Sequence, residues 1–150
     1  MSTIAREEGQ MPSQTTGRER PPIHVLADES DLVANLALTV EHRQPVVAAM
    51  LLEEIERAEL HDLHTLPADA VRLGCWVNFM DERSGNVRSV QLVLPVDANI
   101  AEGRISILTP VGAALYGLRT GDAIDWPDID GNDRRITIMD VMQPATNGPN

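Results

Sequence analysis

From Asp28 to Val40 the apolar residues Leu32, Val33, Leu36 and Val40 recur at intervals of three and four, the spacing of one helical face. Asp28, Glu29 and Asp31 crowd the first turn, where the helix dipole favours carboxylates. A second helix is predicted from about Pro45, a residue suited to a first turn, to Leu60. Val47, Leu51, Ile55 and Ala58 lie on one side of it and Glu53, Glu54, Glu56 and Glu59 elsewhere, with Glu53 and Arg57 spaced for an i,i+4 ion pair. The connection Glu41-His42-Arg43-Gln44 is short enough to force the two helices antiparallel. Sixteen or so residues per arm make each roughly 24 Å long.

After a Pro-containing link, His61 to Ala70, the period changes to two. Cys75, Val77 and Phe79 alternate with Trp76, Asn78 and Met80, a polar turn spans Asp81 to Asn86, and Val90, Leu92 and Leu94 alternate in a returning strand that Pro95 ends. Ile105 to Leu108 reads as a third strand. Thr109 then stands as a helix N-cap with Pro110 at the first helical position, and Val111 to Tyr116 makes a brief helix that Gly117 closes. Asp122 to Trp126 and Arg134 to Met142 complete the strands around a polar turn, Asp128 to Asp133. The predicted fold is α+β: a short antiparallel helical hairpin over 23–65, then an antiparallel sheet with one short helix over 66–142. Residues 1–22 and 143–150 lack any periodic apolar pattern and are expected to be disordered tails.

Composition narrows the function classes. The 150 residues suit one domain with a helical appendage, and 43% hydrophobic with 23% charged residues is ordinary for a globular protein. A formal charge of −11 opposes a polyanion, so a basic protein surface is the expected partner in preference to DNA or RNA. All twelve cations are Arg, which reflects coding bias before mechanism. Single Cys75 permits no intramolecular disulfide, no apolar run is long enough to span a bilayer, and the N-terminus lacks signal-peptide order. A cytoplasmic location without membrane contact is expected, and a monomer is favoured.

Each chemical motif has an ordinary reading that wins. Asp128 to Asp133 resembles a calcium loop, but Asp133 stands where that loop needs Gly and Met139 where it needs a bidentate Glu, so it reads as a turn. Gly112, Gly117 and Gly121 cannot form a P-loop without a Lys. His61 and His64 are spaced for one metal on a helical turn, yet no third strong ligand lies nearby in sequence, so they read as solvated histidines. Cys75 reads as inert core, and Tyr116 and Trp126 as packing residues of a small sheet. No local spacing supports a nucleophilic triad or paired carboxylates, and nothing calls for a cofactor.

The segment Ile105-Ser106-Ile107-Leu108-Thr109-Pro110-Val111-Gly112-Ala113-Ala114-Leu115-Tyr116-Gly117-Leu118, continued by Gly121-Asp122 and Asp125-Trp126, resembles the signature of the C-terminal domain of the GreA/GreB transcription elongation factor family. The match extends backward through Leu66-Pro67, Val71 and Val77 to Leu94-Pro95. The resemblance implies an FKBP-like sheet domain that docks at the secondary-channel entrance of RNA polymerase, with a helical hairpin, a coiled coil, projecting from it. DNA contact would be indirect, through the polymerase. Carried over onto this sequence, the docking loop is Thr109 and Pro110, with Leu108 standing where some cleavage factors have an acid. Cleavage factors of the family carry two acids at the hairpin tip that help hold a catalytic magnesium ion. Here the tip is Glu41, His42 and Arg43, a single acid with a neighbouring cation that competes for it. Together with the short arms, this implies a noncatalytic channel-binding regulator, as in the subgroup of nucleoside diphosphate kinase regulators. In this picture the sheet domain supplies affinity and the hairpin occupies the channel. The rival readings are direct regulation of nucleoside diphosphate kinase and an FKBP-like peptidyl-prolyl isomerase, the latter needing an aromatic-lined pocket from a chain with four aromatics.

Overall fold

The structure, a computed structural model, describes residues 21–127 and 133–144. The expected tails, apart from Pro21, Pro22, Gln143 and Pro144, and most of the turn Asp128 to Asp133 lie outside the described residues. A short strand β1 (His24–Leu26) leads straight into helix α1 (Ala27–Thr39), and helix α2 (Pro45–Glu56) is followed by strand β2 (Glu59–His61). A sheet then forms from β3 (Trp76–Asp81), β4 (Asn86–Val93), β5 (Arg104–Ser106), β6 (Ala123–Pro127) and β7 (Asp133–Met142), with helix α3 (Pro110–Leu115) between β5 and β6.

The helical pair differs from its sequence reading in three ways. First, the arms are 13 and 12 residues, so about 20 and 18 Å long rather than 24. Helix α2 stops before Leu60 because Glu59 to His61 run beside β1 as a parallel pair, with the Glu59 N–H donating to Ile23 O at 2.9 Å. Second, of the expected face of α1, Val33 and Val40 are buried and Leu36 packs on the core, but Leu32 is exposed and Ser30 and Ala37 are buried. Third, Glu54 of α2 is buried, and its carboxylate takes the Arg57 guanidinium at 2.5 Å. Arg57 thus reaches Glu54, one turn back at i,i+3. The turn 40–44 is tight, with Arg43 and Gln44 N–H groups both donating to Val40 O.

The sheet order is β5-β4-β3-β7-β6. Three of its four pairings are antiparallel, and β5 lies parallel to β4, against the expectation of an all-antiparallel sheet. The ten residues from Leu94 to Gly103, which include short 3-10 turns at Pro95–Asp97 and Ile100–Glu102, carry the chain back so that β5 re-enters in the direction of β4. Period-two alternation is visible in β3, where Val77 and Phe79 are buried between half-buried neighbours. A register shift between Asn78 and Phe79 marks a bulge against β7.

One hydrophobic core joins both parts of the chain. Val33, Ala37, Val47 and Leu51 of the helices belong to the same buried cluster as Val77, Leu92, Ile136 and Ile138 of the sheet and Ala113 to Tyr116 around α3. Burying a side chain such as Leu51, which is fully enclosed, contributes roughly 2 kcal/mol. At the junction, Gly117 has φ +82°, and a Cβ there would come within 2.7 Å of Ile23 Cβ. Glycine therefore serves two needs, a left-handed helix exit and close approach of the N-terminal strand, whose His24 N–H donates to Gly117 O at 2.9 Å. No described helix is long and apolar enough to cross a membrane.

Candidate protein-docking groove

The loop ahead of α3 is held by its own short side chains. Ser106 Oγ accepts the Leu108 N–H at 2.9 Å, and Ser106 O accepts both the Thr109 N–H at 3.0 Å and the Thr109 hydroxyl at 2.8 Å. Thr109 Oγ1 in turn accepts the Gly112 N–H at 3.0 Å, the N-cap read from the sequence, and Pro110 occupies the first helical position. Leu108 is buried, whereas Thr109 and Pro110 are half-exposed. Ser106 and Thr109 thus fix the loop through local hydrogen bonds.

Two segments that the sequence offered separately meet here. A groove is lined on one side by Ser106, Leu108, Thr109 and Pro110 and on the other by Val40, Arg43 and Gln44 of the turn between α1 and α2, with Pro95 at its edge. Arg43 is the one charged residue in this lining, on a chain whose net charge is −11. Glu41 and His42 share the turn and are exposed but do not line the groove. Contact of the turn with the loop was not foreseen, because it follows from packing α2 against α3.

The remaining candidates fall elsewhere. Cys75 is fully buried, its Sγ accepting the Arg72 N–H at 3.4 Å, and burial pushes the thiol pKa up, so it stays a neutral core thiol. Gln143, expected in a tail, instead donates to Ala68 O at 2.5 Å and Ala70 O at 3.1 Å. Tyr116 is buried without a hydrogen-bond partner of good geometry; burial first, and the charge of Glu29 beside it second, push its phenol well above the usual range. Burial likewise raises Glu29, although the Leu73 N–H donates to its carboxylate at 3.1 Å. The side chain of Trp126 lies outside the described residues. His61 and His64 line one cavity beside the start of α1, with Leu26, Ala27 and Asp28. His61 also meets His24 and Glu59, the group of three potential metal ligands found among the described residues. The sequence hid this because the two segments are joined only by the β1–β2 register.

An α+β chain with a mostly antiparallel sheet and a Thr-Pro-capped short helix defines a recognisable class, and comparison with known proteins places it. The family model described as transcription elongation factor GreA/GreB, C-terminal, matches residues 66–143, and the chain belongs to the GreA/GreB family. It is 33% identical over 103 residues to the regulator of nucleoside diphosphate kinase of Escherichia coli K12, covering 68% of this chain and 76% of that one. It is 35% identical over 102 residues to transcription elongation factor GreA of Rhodospirillum rubrum, covering 65% of each. Among solved structures, GreA/GreB from Nitrosomonas europaea aligns with a TM-score of 0.64 and 32% identity over 82% of this chain and 99% of that one.

Proposed function

We propose that this protein is a noncatalytic regulator of transcription elongation that docks on RNA polymerase at the secondary-channel entrance through the groove between Arg43 and Pro110. In this reading residues 66–142 are an FKBP-like docking unit and 23–65 a short helical hairpin. The observation that carries it is the convergence of Leu108, Thr109 and Pro110, in the stretch that matches the GreA/GreB family, with Arg43 of the helical turn on one surface. Such a surface suits a protein partner: it is shallow and largely neutral, with a single cation at its rim to orient an acidic group. Absence of cleavage activity is argued from the turn itself, where Glu41 is exposed and has no second acid in the segment 40–44. One carboxylate beside His42 and Arg43 is a poor magnesium ligand set.

A second reading, direct binding of nucleoside diphosphate kinase, takes its support from the name of the Escherichia coli relative. An isomerase is disfavoured, since Phe79 and Tyr116 are buried in the core and no aromatic lines the groove. The test is binding of the untagged full chain to immobilised core polymerase and, separately, to the kinase. Arg43→Ala and Pro110→Ala, both at exposed or half-exposed positions, should each weaken polymerase binding by about tenfold, ~1.4 kcal/mol. Backtracked polymerase should cleave its transcript no faster with the protein present. Accelerated cleavage lost in Glu41→Ala would overturn the noncatalytic reading, and capture of the kinase alone would replace polymerase as partner.

A further inference from the structure

The parallel pairing of β1 with β2 sets His24 opposite Glu59 and Leu26 opposite His61. This register brings His24 Nδ1 to 3.1 Å from His61 Nε2, with one Glu59 carboxylate oxygen 3.7 Å from the first nitrogen and the other 3.7 Å from the second. Both imidazoles are largely enclosed, their side chains 16% and 10% exposed, whereas Glu59 is 63% exposed and free to rotate. His24 is anchored through its N–H to Gly117 O, and the ring of His61 is anchored by a 3.0 Å contact from Nδ1 to Thr65 Oγ1.

Two ring nitrogens facing each other at this distance need a hydrogen or a cation between them. With His61 Nδ1–H donating to Thr65 Oγ1, its Nε2 turns a lone pair toward His24. His24 then either supplies a proton to that gap or, as the Nε2–H tautomer, turns a second lone pair to the same point. The second state is a ready ligand pair, and the Thr65 hydroxyl plays the orienting part that metal-bound histidines commonly receive from a neighbour.

The geometry points to a divalent transition-metal site of the zinc class formed by His24, His61 and Glu59, with water in the fourth position. Donors at about 2.05 Å on a tetrahedral ion stand about 3.3 Å apart. The two ring nitrogens stand 3.1 Å apart, each lies 3.7 Å from a different Glu59 oxygen, and one donor atom from each residue lies within 4.8 Å of the other two, so rotation of exposed Glu59 has to bring a single oxygen inward to complete the set. Two imidazoles and one carboxylate suit zinc and its neighbours and not magnesium or calcium, which prefer oxygen donors. Nearby Asp62 is already committed, its Oδ1 accepting the His64 and Thr65 N–H groups. Because His24 precedes α1 and the other two ligands follow α2, the ion fastens the two ends of the helical segment to each other beside Gly117.

The test uses the untagged full chain, stripped with a chelator and titrated with zinc sulfate by calorimetry. Saturable binding of one zinc per chain is expected, undiminished by millimolar magnesium and accompanied by a rise in Tm, since the donors come together only in the folded chain. Glu59→Gln, at an exposed position, and His61→Asn should each lower zinc affinity by more than about tenfold, whereas His42→Asn and His64→Asn, the same replacement at other histidines, should leave it unchanged. Circular dichroism checks that each variant is folded. Absence of saturable binding, or binding that survives Glu59→Gln and His61→Asn or is lost with His42 or His64, overturns the assignment.

Discussion

Replacing Gly112 by Ala sets two physical effects against each other at the proposed docking loop. Gly112 lies inside α3 with ordinary helical geometry, so helix propensity alone favours Ala by about 1 kcal/mol. Packing opposes it. A Cβ at this position falls well inside the van der Waals envelope of the Ser106 carbonyl oxygen and 3.0 Å from both the Ser106 carbonyl carbon and Thr109 Oγ1. Those neighbours cannot rotate away: one is backbone that accepts two hydrogen bonds from Thr109, and the other is the helix cap. Relief requires moving the start of α3 off the loop, an overpacking cost of about 1–3 kcal/mol, with about 1 kcal/mol more if the cap is lost. With the cap lost, as displacement of Thr109 implies, the net expectation is a destabilisation of about 1–3 kcal/mol, read as a lower midpoint in urea at unchanged slope, together with weaker polymerase binding, because Thr109 and Pro110 are displaced. A Gly112→Ala protein as stable as the parent, or more so, would refute the packing argument and leave helix propensity as the larger effect.

Two further outcomes follow from the buried interior. Burial raises the Glu29 carboxyl pKa above 4.5 in the folded state, so the folded chain holds its proton more tightly than the unfolded chain. The stability of the parent relative to Glu29→Gln should therefore rise as pH falls from 7 through the raised pKa, level off below 4.5, and be lost again on return to neutral pH; denaturation midpoints across that range would show an opposite slope if the sign is wrong. A chain beginning at Leu66 should fail to fold cooperatively, because it loses Ile23, Val25, Val33, Ala37, Val40, Val47, Ala48, Met50 and Leu51 from the common core. Their removal leaves the apolar face of the sheet and α3 open to water, and a sharp thermal transition in the shortened chain would show instead that the sheet stands alone.

That last expectation reverses the division of labour that the sequence invited. Read along the chain, the helical segment and the sheet segment have separate periodicities and look like separable parts. The observed cluster couples them through contacts between residues far apart in sequence, such as Ile23 against Gly117. Leu32 and Ser30 illustrate the same limit within one helix. Apolar spacing identified α1 and most of its inward face, since Val33 and Val40 are buried and Leu36 packs on the core, yet it gave no sign that Ser30 would be buried and Leu32 exposed.

By itself the sequence determined what depends on neighbours a few residues apart. Thr109, Pro110 and Gly117 specify the start and end of α3 because capping and left-handed exit are local hydrogen-bonding and steric events, and the alternation in β3 specifies its inward face because side chains of a strand alternate regardless of what they pack against. The same stretch carried the family resemblance. Tertiary structure alone decided the parallel placement of β5, the meeting of Arg43 with Pro110, and the convergence of His24 with Glu59 and His61. Each of these joins segments separated by tens of residues or by a connection of undetermined direction. Their juxtaposition is set by how the whole core buries its apolar surface, a sum over the chain that no local pattern of residues encodes.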